Sequence, residues 1–369
     1  MNKERNTALE LLRLAAIFFI ILRHYCENVV PFDSVTAETW TWRIAFLQVN
    51  TAWGLVANNI FTLISGYFLI SRKVNWKRIV LLIAEMFFYS WVFMIILYGG
   101  RIVPLSITTL IKQLFPIWFG DAWYVNCYIV LCCFLPFINR FLDGISKKTY
   151  QRFLIVSILI AIVAYSFGAT TFIGGWQSVD HFIIMFALGG YIKKYGVPEL
   201  KLSWRTIFFC FAIITALSVI ALSCGGALLN KDILITNALY FTEGNNIVCV
   251  ITSVALFLWI INVKPFYNKT INALSKSVLG IFLIHFNTLL RGVIWDKIFP
   301  NTAYLNSDYF LLHCFVKVTA VFVICLLIDQ IRILTVEKAF RKFVDKRWDA
   351  WRDKAERMRG RLVKLVPFK

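Results

Sequence analysis

Long apolar runs separated by short polar loops dominate the chain, and most of the runs are close to the length that crosses a membrane. About ten runs can be distinguished, and they lie near Ala8–Val30, Ala52–Ile70, Ile79–Tyr98, Trp123–Pro136, Phe153–Phe167, His181–Tyr191, Ile207–Cys224, Ile247–Ile261, Ile271–Leu290 and Phe310–Leu334. A helix that crosses hydrocarbon needs about 20 apolar residues, and the strands of a membrane barrel would alternate residue by residue instead. The pattern therefore predicts an all-α, polytopic integral membrane protein with about ten transmembrane helices in one bundle, although it leaves the ends of the short fourth and sixth runs undefined.

The loops between these runs alternate between rich and poor in Lys and Arg. The rich loops lie at residues 3–5, 72–78, 140–152, 193–205 and 264–276, and the segment after Leu334 is basic as well. Cytoplasmic loops carry the excess of Lys and Arg in membrane proteins. The alternation therefore predicts a multi-pass protein of the cell membrane with both termini in the cytoplasm.

Composition excludes several other classes of protein. The 369 residues are 59% hydrophobic and 16% charged, with a mean hydropathy of +0.71, which is too apolar for a soluble domain, a disordered chain or a disulfide scaffold. The net charge is +19. Because the basic residues lie mainly at the ends of apolar runs, they indicate membrane topology and lipid headgroup contacts rather than nucleic acid. The nine cysteines are scattered through apolar runs without metal-ligand spacing, and we expect them to be small buried hydrophobic residues.

The segment 336–369 differs from the rest of the chain because Lys and Arg are dense in it. Its apolar residues recur at three-to-four-residue spacing: Phe340, Phe343, Val344, Trp348 and Trp351. This pattern predicts a basic amphipathic helix that lies on the inner leaflet, with its aromatic side chains in the membrane and its basic side chains on anionic lipid. We therefore expect a transmembrane domain over 1–335 and a cytoplasmic tail over 336–369.

Ionisable residues inside apolar runs cost a few kcal/mol each and are functional candidates by default. The first run contains Glu10, Arg13, Arg23 and His24. Eleven helical steps of about 100° bring Arg13 and His24 onto the same face, about 16 Å apart along the axis. The simpler interpretation is that Arg13 reaches the inner headgroups and His24 lies in the outer interface.

Other runs also contain polar and aromatic residues that have a structural and a functional interpretation. These residues are Ser65, Gly66, Tyr67 and Arg72 in the second run, Trp123 and Tyr124 in the fourth, and His285, Asn287, Arg291 and Trp295 in the ninth. Close helix packing, an aromatic belt and a satisfied core histidine would explain them separately. Their occurrence together favours a functional site.

Four motifs in chain order carry a resemblance to a known family. They are Arg13-x10-His24, Ser65-Gly66-Tyr67-x4-Arg72, Asp121-Ala122-Trp123-Tyr124 with the later Pro136-Phe137-Ile138-Asn139, and Gly280-Ile281-Phe282-Leu283-Ile284-His285 followed by Asn287 and Arg291. On these motifs the chain resembles membrane acyltransferase family 3, the polytopic O-acyltransferases of sugars, from about Leu9 to about Leu334. The later motifs look closest to the branch of capsule and exopolysaccharide gene clusters, with a departure at Asp121-Ala122.

The resemblance implies a site with two ends. Acyl-CoA is expected to be gripped at the inner end by Arg13 and Arg72, as a donor substrate rather than a bound cofactor. His24 is expected to act at the outer end, either as the base that takes the acceptor's proton or as a transient acyl carrier, with His285 as the second catalytic residue. The expected acceptor-binding residues are Ser65, Tyr67, Trp123, Tyr124, Asn287 and Arg291. We expect no metal and no nucleic acid.

The function expected from these features is transfer of an acyl group, by default acetyl, to a hydroxyl of a cell-surface polysaccharide or its lipid-linked precursor. The expected partners are acyl-CoA, the sugar acceptor, membrane lipid and other polysaccharide-assembly proteins. A polysaccharide flippase would often have internal repeats or broken helices in matched halves, and the sequence has no such pairing. A membrane sugar polymerase or glycosyltransferase would have a long outer loop, whereas the outer loops here run to about 20 residues.

Overall fold

The protein is a bundle of long helices, and no strand occurs in the described part of the chain. The computed structural model describes residues 6–120, 122–169 and 174–365, with side chains up to residue 358, and 77% of it is helical. The main helices are α1 (Thr7–Glu27), α2 (Trp42–Leu69), α3 (Trp76–Gly99), α4 (Ile107–Leu114), α5 (Trp123–Gly144), α6 (Lys147–Ser166), α7 (Val179–Tyr195), α8 (Trp204–Leu228), α9 (Ile247–Ile261), α10 (Lys269–His285), α11 (Phe310–Arg332) and α12 (Lys338–Leu365). This confirms the predicted all-α polytopic membrane fold.

Judged by length and composition, fewer helices are able to span a membrane than the ten that the sequence predicts. Among the described residues, seven helices are long and apolar enough to span, or eight if one bent pair counts as a single span. Each predicted run does fall on a helix. However, α1 carries too many charged residues to qualify on composition, and α7 has only 17 residues. Both pack inside the bundle, so neighbouring helices rather than lipid surround much of their surface.

The ninth predicted run is not one continuous helix. The helix α10 ends at His285, and after a break the chain continues at Leu290 in a direction bent by 86°. The break has a local cause, because the side-chain oxygen of Asn287 accepts the backbone N–H groups of Leu289 and Leu290. An asparagine used in this way starts a new helix instead of extending the old one. The run predicted over Ile271–Leu290 is therefore a bent pair of helices, and a single span there stays a prediction.

The helices α1, α2 and α7 form the centre of the bundle, and glycines allow them to approach closely. A Cβ atom at Gly66 would overlap the backbone oxygen of Phe186 in α7, and one at Gly189 would overlap that of Leu63 in α2. On the other side of α2, Gly54 packs directly against the side chain of Arg23. Small residues at helix contacts are typical of membrane bundles. These contacts fix the register of the three helices that carry several of the site residues.

The helix α12 continues α11 through a π-helical turn, Ile333–Glu337. Val344 is buried, an ion pair joins Lys77 of α3 to Asp345, and Phe343 and Trp351 are exposed. The tail is thus helical with an exposed aromatic face. Its contact with the inner leaflet stays a prediction.

The nine cysteines form no disulfide in the structure. Five are buried and two are half-buried, but Cys133 and Cys210 lie on the exposed surface of their helices. The expectation that all nine are buried was therefore wrong for these two, which lie on the outward faces of α5 and α8.

Candidate functional site

Two histidines from distant parts of the chain meet inside the bundle. Nδ1 of His24, near the C-terminal end of α1, lies 2.9 Å from Nε2 of His285, the last residue of α10. The ring of Phe286 stacks on the His24 ring, with 4.6 Å between their centres. His285 is fully buried whereas His24 is half-buried. The two residues predicted to be catalytic are thus neighbours, and His24 is the more accessible one.

The hydrogen bonds of this histidine pair determine where its protons lie. Nδ1 of His285 is 2.6 Å from the backbone oxygen of Ile281. A carbonyl oxygen only accepts, so Nδ1 of His285 is the donor and Nε2 of the neutral ring carries a lone pair. Nδ1–H of His24 donates to that lone pair. Nε2 of His24 is consequently left with a lone pair, which suits it to accept a proton or to attack a carbonyl carbon.

The break after α10 is supported by a residue that the sequence did not indicate. Gln113, on the short helix α4, accepts hydrogen bonds at Oε1 from the hydroxyl of Ser90 at 2.7 Å and from Nδ2 of Asn287 at 3.1 Å. Gln113 is 2% exposed, so these bonds are shielded from water. They connect α3, α4 and the chain that follows His285. A single glutamine in an amphipathic stretch gives no signal for such a role.

A small cavity lies beside this connection, with about 40 Å³ of room for molecules the size of water. Ser90, Gln113 and Asn287 form part of its lining, together with Phe282 and Phe286. Phe286 therefore contacts His24 and also lines the cavity. Asn287, predicted to bind the acceptor, faces this cavity and at the same time stabilises the break.

The glycine of the late motif is explained by a buried carboxylate. A Cβ atom at Gly280 would overlap the side chain of Asp329 in α11. Asp329 is fully buried and accepts from the hydroxyl of Tyr89 at 2.6 Å and from Nε of Arg332 at 2.7 Å. Arg332 also pairs with Glu85 at 3.0 Å. Sequence reasoning missed this charged network, although Asp329 and Arg332 stand out as charges three residues apart in an apolar run.

Arg13 lies on α1 eleven residues before His24, so the two lie about 16 Å apart along the helix. Its guanidinium donates to Glu10 at 2.9 Å, and its side chain is 26% exposed. The pairing within one helix lowers the cost of placing both charges in the bundle. Arg13 is thus held in place and remains accessible, while its role in acyl-CoA binding stays a prediction. We refer below to the Arg13 end and the His24 end of the bundle.

Arg72 is exposed in the turn that follows α2, at the Arg13 end. This turn is anchored by Asn139 of α5, whose Nδ2 donates to the backbone oxygens of Leu69 and Arg72, both at 3.0 Å. The motif Pro136-Phe137-Ile138-Asn139 therefore supports the loop that carries Arg72. Contact between Arg72 and acyl-CoA stays a prediction.

Ser65 and Tyr67 occupy the last two turns of α2, away from the histidine pair. The hydroxyl of Ser65 donates to the backbone oxygen of Phe61 in its own helix at 2.8 Å. The ring of Tyr67 contacts the ammonium of Lys193, 4.6 Å from the ring centre. The structure thus places these two residues at the Arg13 end, and acceptor binding by them stays a prediction.

Trp123 and Tyr124 begin α5, and their side chains contact different neighbours. The Trp123 ring packs edge-on against Trp176, with 4.9 Å between centres, whereas the hydroxyl of Tyr124 lies 3.2 Å from that of Thr62 in α2. Thr62 lies eight residues, and hence about 12 Å along α2, from Gly54, which packs against Arg23 next to His24. Acceptor binding by Trp123 and Tyr124 stays a prediction. Asp121 of the same motif lies outside the described residues.

Arg291 lies on the single helical turn Leu290–Gly292 beyond the break, with its side chain exposed. Its backbone N–H donates to the backbone oxygen of Asn287 at 2.9 Å. The structure therefore places it close in sequence and space to the end of α10. Acceptor binding by Arg291 stays a prediction.

The described residues contain no group of three or more His, Cys, Asp or Glu side chains arranged to hold a metal ion. The His24 ring carries the lone pair that a base or a nucleophile uses, and Phe286 stacks on this ring. Catalysis by His24 stays a prediction.

The fold and the histidine pair together define a polytopic helical membrane protein with a site between its first helix and a broken later one. The chain belongs to membrane acyltransferase family 3, because the sequence profile described as "Acyltransferase domain" matches residues 6–329. The predicted family is confirmed, and the protein is an acyltransferase. Comparison with curated proteins and with solved structures finds no match, and the likeness to the capsule-cluster branch stays a prediction.

Proposed function

We propose that the protein transfers an acyl group, by default acetyl, from acyl-CoA to a hydroxyl group of a cell-surface polysaccharide or its lipid-linked precursor. The observation that carries this proposal is the hydrogen-bonded chain from Ile281 through His285 to His24. It leaves a lone pair on Nε2 of His24, which is the atom that a base for a sugar hydroxyl requires. Family membership supports acyl transfer as the reaction class.

In the base mechanism, Nε2 of His24 accepts the proton as the acceptor's oxygen attacks the thioester carbonyl. The new ester bond forms, the carbon–sulfur bond breaks, and the proton finally neutralises the CoA thiolate. His285 holds the His24 ring in the tautomer and orientation that the step needs, as the third member of a catalytic triad does. A general base at this position contributes about 10²–10⁴-fold to the rate.

In the acyl-carrier mechanism, the same lone pair of His24 attacks the thioester and releases CoA. The acyl group then passes from the imidazole to the sugar oxygen, the bond between the acyl carbon and Nε2 breaks, and the hydroxyl proton finally neutralises the CoA thiolate. The hydrogen-bonded chain serves both mechanisms, since each uses Nε2 of His24 and a proton on Nδ1. An acyl-histidine trapped in the absence of acceptor would distinguish the second mechanism from the first.

The orientation of the reaction follows from the predicted topology, with the Arg13 end in the cytoplasm and the His24 end near the outer surface. Acyl-CoA is cytoplasmic and anionic, and Arg13 and Arg72 both lie at the Arg13 end. The extended pantetheine arm would then cover the distance of about 16 Å between Arg13 and His24.

The experiment is mass spectrometry of the surface glycan from cells with and without the gene, complemented by the wild type and by His24→Gln. We expect an acyl mass that the deletion removes and that only the wild type restores. A glycan with unchanged acylation but altered export or chain length would instead favour a flippase or a polymerase.

A further inference from the structure

A second polar cluster borders α1, and the histidine pair does not use it. It consists of Asn59 in α2, His181 in α7 and Asn245 just before α9. His181 is 2% exposed and Asn245 is 1% exposed. We call these three residues the amide–histidine cluster. They come from three separate parts of the chain, so only the folded bundle brings them together.

Hydrogen bonds define the protonation of this cluster. Nδ2 of Asn59 donates to the backbone oxygen of Gly244 at 2.7 Å, so its Oδ1 is the atom that lies 2.8 Å from Nε2 of His181. Nε2 of His181 is consequently the donor, and its Nδ1 carries a lone pair. Asn245 follows Gly244 directly, which places it beside this chain of bonds.

Several polar atoms of the cluster are buried without a hydrogen-bond partner among the described residues. They are Nδ1 of His181 and both Oδ1 and Nδ2 of Asn245. An unpaired buried polar group costs about 1–3 kcal/mol, so these three atoms favour a bound partner. Two of them are acceptors and one is a donor. A neutral ligand rich in hydroxyl groups would complement them.

Two tryptophans border the cluster and connect it to α1. Trp176 packs against Gly244, where a Cβ atom would lie 2.7 Å from that of Trp176, and its ring meets Trp123 edge-on. The guanidinium of Arg23 lies 4.7 Å from the centre of the Trp176 ring and pairs with Glu27 at 2.7 Å. Both tryptophans are half-buried, and the neighbours of Trp176 on each side are exposed. Aromatic walls with a few placed polar groups are typical of small-ligand sites.

We infer that the amide–histidine cluster, with Trp123 and Trp176, binds a sugar ring of the acceptor through its hydroxyl groups, next to the helix that carries His24. The inference rests on the proposed function for the identity of the acceptor. None of the three residues of the cluster carries a carboxylate for a cation. The carboxylate of Asp180, next to His181, accepts the backbone N–H of Gly174, and the charge of Arg23 is paired with Glu27. A neutral polyhydroxylated ring therefore fits better than a phosphate or a metal ion.

The variant Asn245→Leu tests this inference, because it removes two unpaired atoms while keeping the side-chain size. We expect the variant to melt at or above the wild-type temperature, since an unpaired polar group is replaced by an apolar one. The KM for the deacylated surface glycan, purified from cells lacking the protein, should rise about tenfold, which corresponds to about 1.4 kcal/mol. The KM for acetyl-CoA and acetyl-CoA hydrolysis without glycan should stay unchanged.

Asn50→Leu is the matched control, because Asn50 is a half-buried asparagine of α2 whose Nδ2 donates to the backbone oxygen of Phe46 in its own helix at 2.8 Å. It should leave the glycan KM unchanged. His181→Gln provides a second variant at the cluster, with the same expected rise in glycan KM.

Unchanged glycan KM in folded Asn245→Leu and His181→Gln proteins would overturn the inference and leave the cluster as a site for ordered water. Equal rises in the KM values for glycan and acetyl-CoA would overturn it as well. A wild type that transfers no acyl group contradicts the proposed function instead. In that case, glycan-dependent quenching of tryptophan fluorescence that Trp176→Phe removes would still support the sugar site, and its absence would count against it.

Discussion

His285 and His181 are both buried histidines of the bundle, and they differ in what their second ring nitrogen does. Both nitrogens of His285 are hydrogen-bonded, one to Ile281 and one to His24. His181 is bonded to Asn59 through Nε2, while its Nδ1 has no partner among the described residues. A fully bonded histidine is fixed in one tautomer and orientation. A half-bonded one in an apolar interior leaves an acceptor that a ligand or water has to satisfy.

In the proposed function, the two regions have different tasks. The region around His285 holds the His24 ring in place, through the break after α10 and the bonds of Gln113. The amide–histidine cluster has polar atoms without partners, and in our inference these bind a hydroxylated substrate. Variants in the first region should therefore lower turnover, and variants in the second should raise the KM for the acceptor.

The largest expected effect comes from His24 itself. His24→Gln keeps the size and a hydrogen-bond donor but cannot accept a proton or carry an acyl group, so turnover should fall by about 10²–10⁴-fold. The measurement is acyl transfer by purified protein, with the membrane level and the melting temperature determined in parallel. Substantial activity in a folded His24→Gln protein would contradict both mechanisms and move the chemistry to another residue.

The next effect tests the positioning role of His285. His285→Leu removes the acceptor for Nδ1–H of His24, and turnover should fall by about 10²-fold, the lower end of what a correctly held general base contributes. His285→Gln offers a side-chain oxygen to the same N–H and should recover part of the loss, which a purely structural role would not predict.

His313→Leu is the control for these variants, because His313 is a histidine of α11 that accepts from the hydroxyl of Tyr25 at 2.9 Å. We expect its turnover to stay within a few-fold of the wild type. Equal losses in His285→Leu and His285→Gln, with normal melting temperatures, would count against positioning by a hydrogen bond.

The sequence predicts the parts of the site that lie on one helix or in one motif. The shared face of Arg13 and His24 follows from helical periodicity, and His285 was identified by its motif. The contact between His24 and His285 joins residues 261 positions apart, and helix packing rather than any local pattern determines such a contact. The break at Asn287 and the role of Gln113 were missed because single amide residues have no periodic signal.

The amide–histidine cluster was missed for the same physical reason. Asn59 lies in an apolar run and Asn245 in a loop, and each would be an ordinary packing or capping residue in isolation. Their role can be inferred only from which of their atoms lack hydrogen-bond partners in the folded bundle. By contrast, Asp329 and Arg332 could have been identified, since two opposite charges inside an apolar run are rarely accidental.

A smaller effect is expected from Gln113→Ala, which tests whether Gln113 stabilises the break after α10. It leaves Nδ2 of Asn287 without its acceptor, at a cost of about 1–3 kcal/mol in stability, and it loosens the chain directly after His285. Turnover should fall about tenfold because the His24 ring is held less firmly. Gln151→Ala is the control, since Gln151 lies on the exposed surface of α6. This variant should change neither the stability nor the turnover.

The smallest effect on turnover is expected at Gly280, five residues before His285. Gly280→Ala places a methyl group against the carboxylate of Asp329, and overpacking of this kind costs about 1–3 kcal/mol. The carboxylate is fixed by Tyr89 and Arg332, so it cannot move aside without breaking those bonds.

Gly225→Ala in α8 is the matched control for Gly280→Ala, because a Cβ atom there meets nothing within 4 Å, and alanine favours a helix by up to about 1 kcal/mol. Thermal melts should therefore shift in opposite directions, down for Gly280→Ala and slightly up for Gly225→Ala, with turnover within a few-fold of the wild type in both. A Gly280→Ala protein as stable as the wild type would show that α10 and α11 are packed less tightly than this contact indicates, and the support of His285 would then rest on the break at Asn287 alone.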